Sequence, residues 1–346
     1  MLGIKDILER KAFECYSYSI KLCLVFREKI KNKNIRKLAY ILMLPVLLVR
    51  WGVGIVGERT IGVYLQKKRK IQTEATKFEN DLAIVAIAKN EAPYIREWIE
   101  FHKLVGVTRF YIYDNESTDG LKECLQDYID RGLVVYTYFP GESMQLVAYN
   151  DALRKFENQC KYMAFVDLDE FICPVDKNQK ISTILDEILM QETHAGGVGV
   201  TWRIFGSSGY QSKPEGLVIE NYLHRGNDDI WQNYHIKTIC NPRMVKQVIS
   251  PHFPIYKIGA WNINENGVRL HGWYPLGQCY SKIKLNHYFC KSREEALAKW
   301  NRGLADRTER YDWTKFEQYD LNEIYDDDML VYVDEIKNSL SLSKEE

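Results

Sequence analysis

The stretch that decides the fold is residues 81–119, DLAIVAIAKNEAPYIREWIEFHKLVGVTRFYIYDNESTD. It begins with Asp81–Lys89, a continuous apolar run of the length expected for a parallel strand buried on both faces. Pro93 marks the first turn of a helix that has apolar residues at helical spacing and ends at Gly106. A second strand, Arg109–Tyr113, follows, so this stretch predicts a strand–helix–strand unit.

The same alternation continues through the first half of the chain. We predict a helix over Leu121–Asp130, a strand over Leu133–Tyr138, a helix over Leu146–Asn158 and a strand over Tyr162–Val166. Strands that alternate with helices indicate an α/β fold with a mostly parallel central sheet flanked by helices.

The second half is less regular. We predict strands over Gly196–Trp202, Leu217–Tyr222 and Lys282–Phe289. The loop Phe205–Gly209 is either a plain turn or a flexible loop beside a substrate. Ser292 opens a capping box, which predicts that a helix begins there.

Polar clusters follow three of the predicted strands of the first half: Lys89–Glu91, Asp114–Asn115 and Asp167–Glu170. Each cluster alone is compatible with a turn or a helix cap. In open parallel sheets, however, ligands bind beyond the carboxyl ends of the strands. Three clusters at one sheet edge therefore favour a ligand site.

The two carboxylates Asp167 and Asp169 lie two residues apart, directly after the predicted fourth strand. Such oxygens are typical ligands of Mg²⁺ or Mn²⁺. An ion held there can bind substrate phosphates and neutralise a diphosphate leaving group. An Asp-x-Asp pattern in isolation is more often a solvated turn, but its position after a buried strand favours a metal site.

Several protein classes are excluded. The 346 residues are 46% hydrophobic and 27% charged, which rules out a disordered, collagen-like or coiled-coil chain. No Gly-x-x-x-x-Gly-Lys-Ser/Thr loop is present, and no Gly-x-Gly-x-x-Gly follows the first strand. The sequence is therefore not that of a P-loop nucleoside triphosphatase or a dinucleotide-dependent oxidoreductase.

Residues 84–119 and Asp167–Phe171 (DLDEF) resemble glycosyltransferase family 92 and related bacterial family-2-like enzymes, which have the GT-A fold. Trp202–Gly209 (WRIFGSSG) and Asn286–Ser292 (NHYFCKS) extend the resemblance. It covers roughly residues 81–305 and is specific as a combination of motifs.

The resemblance implies transfer of a hexose, with galactose favoured, from a UDP-sugar to a hydroxyl of a glycan or glycolipid, with inversion and with Mn²⁺ or Mg²⁺ as cofactor. It implies that His287 joins Asp167 and Asp169 as a metal ligand; the alternative is a core histidine, because His287 shares the apolar face of its predicted strand. The residues expected to bind the nucleotide-sugar are Asn90, Glu91, Asp114, Asn115, Asp167 and Lys291.

The acceptor half must supply a general base that deprotonates the acceptor hydroxyl. Asp229 and Asp228 are the candidates, with Glu170 and Glu215 as rivals. Four tryptophans can stack on sugar faces, although each can equally pack in the core: Trp202, Trp231, Trp261 and Trp273.

Charge is unevenly distributed in this neutral chain. Residues 1–80 hold 17 Lys/Arg and 7 Asp/Glu, whereas residues 81–346 hold 30 and 40. A basic arm on an acidic body argues against a nucleic-acid partner and favours contact of residues 1–75 with an anionic membrane surface. Arg50 interrupts the apolar stretch Leu38–Gly57, and basic residues flank it on both sides. We therefore expect a segment that lies on the membrane rather than a single-pass anchor.

The eight cysteines include no closely spaced pair, which fits reduced thiols in the cytoplasm. The expected location is the inner face of a bacterial cell membrane, with a role in surface polysaccharide synthesis. We expect three regions: a basic helical arm (1–80), a GT-A domain (81–305, divided at 175/176 into nucleotide-sugar and acceptor halves) and an acidic helical tail (306–346) with a solvated end.

Two other functions remain open. A nucleotidyltransferase that builds sugar nucleotides would need a glycine-rich triphosphate loop after the first strand, which is absent. A glycan- or nucleotide-sugar-binding pseudoenzyme on the same scaffold is the other alternative. The presence of both Asp167 and Asp169 argues against it.

Overall fold

The computed structural model describes residues 77–192, 194–257, 259–270, 272, 278–302 and 313–342. Nearly all of the predicted basic arm lies outside these residues. The described residues from 77 to 257 and from 261 to 342 belong to one structural unit.

Thirteen strands occur in the described part of the chain. They are β1 (Asn80–Ala88), β2 (Arg109–Asp114), β3 (Val134–Tyr138), β4 (Cys160–Phe165), β5 (Glu170–Pro174), β6 (Ala195–Ile204), β7 (His224–Arg225), β8 (Ile236–Cys240), β9 (Val245–Val248), β10 (Pro254–Tyr256), β11 (Trp261–Ile263), β12 (Ile283–His287) and β13 (Ile324–Tyr325).

The helices of the same residues are α1 (Ala92–Leu104), α2 (Leu121–Cys124), α3 (Gln126–Asp130), α4 (Gln145–Phe156), α5 (Ile181–Gln191), α6 (Val218–Asn221), α7 (Arg293–Arg302), α8 (Trp313–Tyr319) and α9 (Val333–Leu342). The helix predicted over Leu121–Asp130 is thus two short helices. The capping box at Ser292 is confirmed, because its backbone N–H and hydroxyl both donate to Glu295 and its hydroxyl accepts from the Glu295 N–H.

The main sheet has nine strands, and its first four run parallel in the order β3-β2-β1-β4. Strand β1 is buried on both faces, as its apolar run predicts. Leu82 and Ile84 pack into one hydrophobic cluster and Ala83 and Val85 into another. Burial on both faces is the usual situation of a central parallel strand.

Beyond β4 the sheet is mixed. Strand β8 lies antiparallel between β4 and β6, and β6 is followed by β12 and β5. Five of the eight strand pairings described in this sheet are parallel. The predicted fold class, an α/β GT-A fold with a mostly parallel central sheet flanked by helices, is confirmed.

The strand predicted over Leu217–Tyr222 is wrong, because residues 218–221 form the short helix α6. The physical reason lies in α1. The buried Glu97 accepts hydrogen bonds from the N–H groups of Val218 (2.8 Å) and Ile219 (3.0 Å). A carboxylate at these amides satisfies the donors that a helix N-terminus leaves unpaired, so a distant residue overrides the local alternation.

The prediction of a solvated acidic tail is also corrected, because Asp326 of the tail is buried. Asp326 pairs with Arg225 (2.6 Å), also buried, and with Arg203 (3.3 Å). Strand β13 adds antiparallel hydrogen bonds to β7, and a Cβ added at Gly206 would overlap the Leu321 carbonyl oxygen. The tail therefore packs closely against the acceptor half and holds the Phe205–Gly209 loop.

We predict that Asp326→Ala lowers the free energy of unfolding by about 3 kcal/mol, because the buried Arg225 guanidinium loses its buried counter-charge and keeps only the more exposed Asp228. The neighbouring Asp327 is exposed, and Asp327→Ala is the matched control, with an expected change within about 0.5 kcal/mol. Denaturant unfolding of both variants measures the difference. Equal effects would show that the tail does not stabilise the domain.

Candidate functional site

The polar clusters after β1 and β2 form one connected loop structure. The Asn90 side-chain oxygen accepts from Thr118 N–H (2.7 Å), and the Asn90 N–H donates to the Ser117 hydroxyl (2.9 Å). Asn90 has a φ of +54°, in the left-handed region that Asn tolerates better than most residues. The predicted contact residue Asn90 thus shapes the loop that closes the edge of the sheet.

Asp114 and Asn115 are buried at the end of β2. The Asp114 carboxylate accepts from Tyr136 OH (2.5 Å) and from Ser117 N–H (2.9 Å). The Asn115 amide donates to the carbonyl oxygens of Phe139 (3.1 Å) and Gly141 (2.8 Å). Both side chains therefore hold neighbouring loops, and their predicted role at the nucleotide stays a prediction.

Asp167 lies at the end of β4 and is bound by three side chains. One oxygen accepts from Gln145 (2.8 Å) and Tyr149 (3.2 Å) of α4, and the other accepts from Lys237 of β8 (2.8 Å). Gln145 and Tyr149 lie four residues apart on one face of the helix, which lets both reach the same oxygen. The carboxylate is still about one-third exposed.

Lys237 is almost completely buried, and its ammonium group also lies 3.3 Å from Glu170. Burial alone would lower the pKa of Lys237, but the charges of Asp167 and Glu170 outweigh burial and raise it. Burial raises the pKa of Glu170, and Lys237 opposes that rise. Lys237 is therefore the fixed counter-charge of two adjacent carboxylates.

Asp169 is buried between Lys299 and His287. One oxygen accepts from the Lys299 ammonium at 2.5 Å, and the other lies 3.5 Å from His287 Nε2. Burial favours the neutral acid, but Lys299 and then His287 overcome this and hold the Asp169 pKa well below its usual value. Burial lowers the pKa of His287 against the opposing effect of Asp169, so this imidazole is neutral near pH 7.

The β5–β12 pairing explains why His287 reaches this place. In that antiparallel pair His287 stands opposite Glu170, the residue directly after the Asp167–Asp169 pattern in the loop before β5. His287 Nδ1 lies 3.9 Å from Glu170 Oε1, and both atoms are buried without a hydrogen-bond partner. The structure thus brings together the predicted ligand His287 and the predicted ligand Asp169.

The residues fit a divalent ion in part. Asp169 Oδ1 and His287 Nε2 are a carboxylate oxygen and a neutral imidazole nitrogen, which suit Mn²⁺, and they lie 3.5 Å apart, at the outer limit of a hydrogen bond. The Asp167 oxygens face Gln145, Tyr149 and Lys237 instead. Among the described residues, no three His, Cys, Asp or Glu side chains already form a ligand set.

Lys291 connects the metal candidates with the β1 cluster. Its φ is +51°, and its ammonium lies 3.3 Å from the centroid of the Tyr94 ring, a close cation–π contact. Burial lowers the pKa of Lys291, while the nearby charges of Glu91 and Asp169 counteract this. The predicted contact Lys291 therefore lies within electrostatic reach of both Glu91 and Asp169.

The two base candidates differ. Asp228 accepts from Arg225 (2.9 Å) and lies 3.3 Å from Arg203 Nε, whereas Asp229 is exposed in the same turn. Arg203 and Trp202 are consecutive in β6, so their side chains point to opposite faces, and the Trp202 ring contacts His287. Asp228 is thus paired with Arg203, on the face of β6 opposite to Trp202 and His287.

Lys237, Gln145 and Tyr149 are the site residues that the sequence did not single out. A signal for Lys237 exists, since it is a lone charge in the otherwise uncharged strand IKTIC. Such a charge inside a buried strand requires a partner. Gln145 and Tyr149 carry no comparable signal.

The chain has the GT-A fold class, with ion-paired carboxylates at the carboxyl edge of its α/β sheet. A model of glycosyltransferase family 92 matches residues 84–262, just over half of the chain. The chain belongs to glycosyltransferase family 92.

Curated relatives share the matched region. A glycosyltransferase family 92 protein of Oryza sativa subsp. japonica is 28% identical over 147 residues, 42% of this chain and 25% of that protein. One of Arabidopsis thaliana is 26% identical, over 50% of this chain and 29% of that protein. The chain spans about a quarter to three tenths of the length of these relatives.

Two further similarities concern proteins whose names state an activity. Beta-1,4-galactosyltransferase galt-1 of Caenorhabditis elegans is 30% identical over 34% of this chain and 30% of that protein. Among solved structures, glucosyl-3-phosphoglycerate synthase from Mycobacterium tuberculosis, in complex with Mn²⁺, UDP and glucosyl-3-phosphoglycerate, aligns with 19% identity and a TM-score of 0.31, covering 59% of this chain and 75% of that chain.

We predict that Lys237→Met destabilises the domain by about 3–5 kcal/mol at pH 8, because Asp167 and Glu170 lose their buried counter-charge. Without Lys237 the Glu170 pKa lies further above its unfolded value, so the native state binds the extra proton. In the wild type the pKa of Glu170 is already raised to about 8, so Glu170 is protonated in both native states below that pH. The difference from the wild type should therefore shrink as pH falls from 10 to 8 and stay nearly constant from 8 to 5.

Lys161→Met is the matched control, because Lys161 forms a half-exposed pair with Asp186. We expect a change below about 1 kcal/mol that hardly varies over the same pH range. Urea unfolding of both variants at several pH values makes the measurement. A pH-independent loss in Lys237→Met would contradict the counter-charge role.

Proposed function

We propose that this protein is a metal-dependent glycosyltransferase that moves a hexose from a UDP-sugar to a hydroxyl of a glycan or glycolipid, with inversion at the anomeric carbon. The observation that carries the proposal is Asp169, which lies at the carboxyl edge of the sheet between a lysine and a neutral histidine. Family membership supports the class of reaction.

Charge supports the need for a cation. Asp167, Asp169 and Glu170 carry three carboxylates, whereas Lys237 and Lys299 supply two ammonium groups in contact with them. The two lysines balance Asp167 and Asp169, and burial raises the pKa of Glu170 to about 8, so the cluster has no surplus positive charge for an anionic diphosphate. A divalent ion held by Asp169 and His287, with Asp167 beside it, would supply the missing positive charge and stabilise the departing diphosphate.

The donor is proposed to lie along the edge formed by the ends of β1, β2 and β4. Lys291, close to Glu91 and Asp169, is placed to contact the diphosphate, while Asn90, Asp114 and Asn115 shape the pocket for the nucleoside. The Caenorhabditis elegans relative is named as a galactosyltransferase, so galactose is the first sugar to test.

Asp229 is the proposed general base in preference to Asp228. The Asp228 carboxylate is engaged by two arginines, which stabilise its anion and weaken it as a base. Asp229 is exposed in the same turn and can reach an acceptor hydroxyl after modest movement.

One observation favours the alternative of a binding protein without turnover. Both Asp167 and Asp169 already have lysine partners, which can replace a metal ion in balancing their charge. Hydrolysis of UDP-galactose separates the two functions, because a pseudoenzyme binds the sugar nucleotide without releasing UDP.

We predict that Asp169→Asn lowers the transfer rate at least about a hundredfold, because the ion loses a charged ligand next to the diphosphate. The measurement is UDP release from UDP-galactose at increasing Mn²⁺ concentration, with Asp327→Asn as the surface control. Wild-type turnover in Asp169→Asn, at an unchanged melting temperature, would remove the proposed role.

Contact with the inner face of the bacterial cell membrane, through residues 1–75, is proposed from the basic composition of the arm. No helix of the described residues is long and apolar enough to cross a membrane, and the arm lies outside them.

We predict that the full chain sediments with vesicles rich in anionic lipid and not with neutral vesicles. Replacing Lys67, Lys68, Arg69 and Lys70 by Gln should weaken binding at least about a hundredfold, since each basic group near the surface contributes about 1 kcal/mol. Raising the salt concentration should act in the same direction. Equal binding to neutral vesicles would exclude an electrostatic attachment.

A further inference from the structure

Six aromatic side chains form a closed ring of contacts beside the ion-paired carboxylates. The distances between successive ring centroids are His287–Trp202 4.3 Å, Trp202–His235 4.8 Å, His235–Trp231 6.0 Å, Trp231–Tyr319 5.9 Å, Tyr319–Phe289 4.3 Å and Phe289–His287 5.5 Å. We call this set the aromatic ring cluster. One member of the cluster is the candidate metal ligand His287, and another, Trp231, lies at the surface.

The aromatic ring cluster is also joined to Asp169 through Lys299. The Lys299 ammonium that binds Asp169 lies 4.6 Å from the centroid of the Phe289 ring and donates to the Phe289 carbonyl oxygen. The cluster therefore connects the exposed Trp231 with the site where the donor diphosphate is proposed to bind.

Among the described tryptophans that can stack on a sugar, Trp231 is the most exposed; the fourth candidate, Trp273, lies outside the described residues. Trp202 and Trp261 are each only 7% exposed, whereas Trp231 is 52% exposed. The Tyr319 and His235 rings meet Trp231 at interplanar angles of 81° and 60°, so neither stacks parallel to the indole. The indole is thus held in a defined orientation although half of it is in contact with solvent.

The surroundings of Trp231 favour a sugar over a lipid chain. The preceding residues 227–229 (NDD) are polar and exposed, and Ile230 is half-buried. The Lys315 ammonium lies 5.8 Å from the centroid of the Trp231 ring and 4.3 Å from that of Tyr319. A lipid chain or a protein partner would need a broad apolar patch. A pyranose presents one face of C–H groups to an aromatic ring and hydroxyls to the polar rim.

We propose that Trp231 is the stacking platform of an acceptor subsite that binds a hexopyranose of a glycan acceptor. The sugar lies on the exposed indole, with the polar turn that contains Asp229 two residues away in sequence and the aromatic ring cluster leading to Asp169. The inference rests on the proposed function and adds the chemical class of the acceptor group: a sugar ring rather than a lipid or protein hydroxyl.

The test uses the purified full chain on an array of immobilised mono- to tetrasaccharides, followed by fluorescence titration with the best-bound glycan. We expect the wild type to bind selected glycans, and Trp231→Ala to raise the dissociation constant at least about tenfold. Trp231→Phe, which keeps a smaller aromatic face, should raise it only about two- to threefold.

Tyr325→Ala is the matched control, because Tyr325 is also an exposed aromatic (57%) but contacts His224 at the β7–β13 pair. It should leave glycan binding unchanged. Thermal shift with UDP-galactose and Mn²⁺ is recorded for every variant.

The outcomes separate this inference from the proposed function. Unchanged glycan binding in Trp231→Ala, or a wild type that binds no glycan on the array, overturns the acceptor subsite while the response to UDP-galactose can persist. Absence of any response to UDP-galactose in the wild type would instead count against the proposed function, whatever the glycan result.

Discussion

Lys237 reaches from β8 into the end of β4 and lies between Asp167 and Glu170. Three carboxylates within four residues at a buried strand end repel one another and lose solvation, so they require cations from elsewhere in the chain. Lys237 and Lys299 supply them, and both belong to the second half of the sequence. The antiparallel insertion of β8 beside β4 is what brings the first of these ammonium groups into position.

This arrangement divides the acidic cluster into a fixed part and an open part. Asp167 and Glu170 share a lysine that is 1% exposed, so their charge is balanced within the protein. Asp169 has a more accessible partner, since the Lys299 side chain is 23% exposed, and its second oxygen faces a neutral imidazole. Asp169 and His287 are therefore the most favourable ligands for a bound cation, whereas at Asp167 a cation must compete with Lys237.

The sequence predicts the parallel half well, because β1, α1 and β2 are specified by local patterns. The apolar run at 81–89 and the helical spacing after Pro93 each agree with the burial found for those residues. It also predicts that Asp169 and His287 meet, although that expectation came from family resemblance. Their meeting depends on the register of β12 against β5, which no local pattern determines.

The structural features that could not be predicted depend on partner residues that are distant in sequence. Helix α6 forms where an alternating pattern favours a strand, because Glu97 of α1 accepts hydrogen bonds from its first amides. Asp326 is buried in a tail whose composition suggests solvation, because two arginines of the acceptor half need a counter-charge. In both cases a charged residue distant in sequence determines the local structure, and single-sequence periodicity contains no information about it.

The proposed reaction centre at Asp169 has a different chemical environment on each of its two sides. Lys291 interacts electrostatically with both Asp169 and Glu91, which belongs to the polar cluster after β1. Phe289, Trp202 and His287 approach Asp169 from the side of the aromatic ring cluster. An anionic donor suits the first side and an uncharged sugar suits the second. Asp169, with Lys299 and His287 on its two oxygens, lies where these two environments meet, so transfer between donor and acceptor is best placed there.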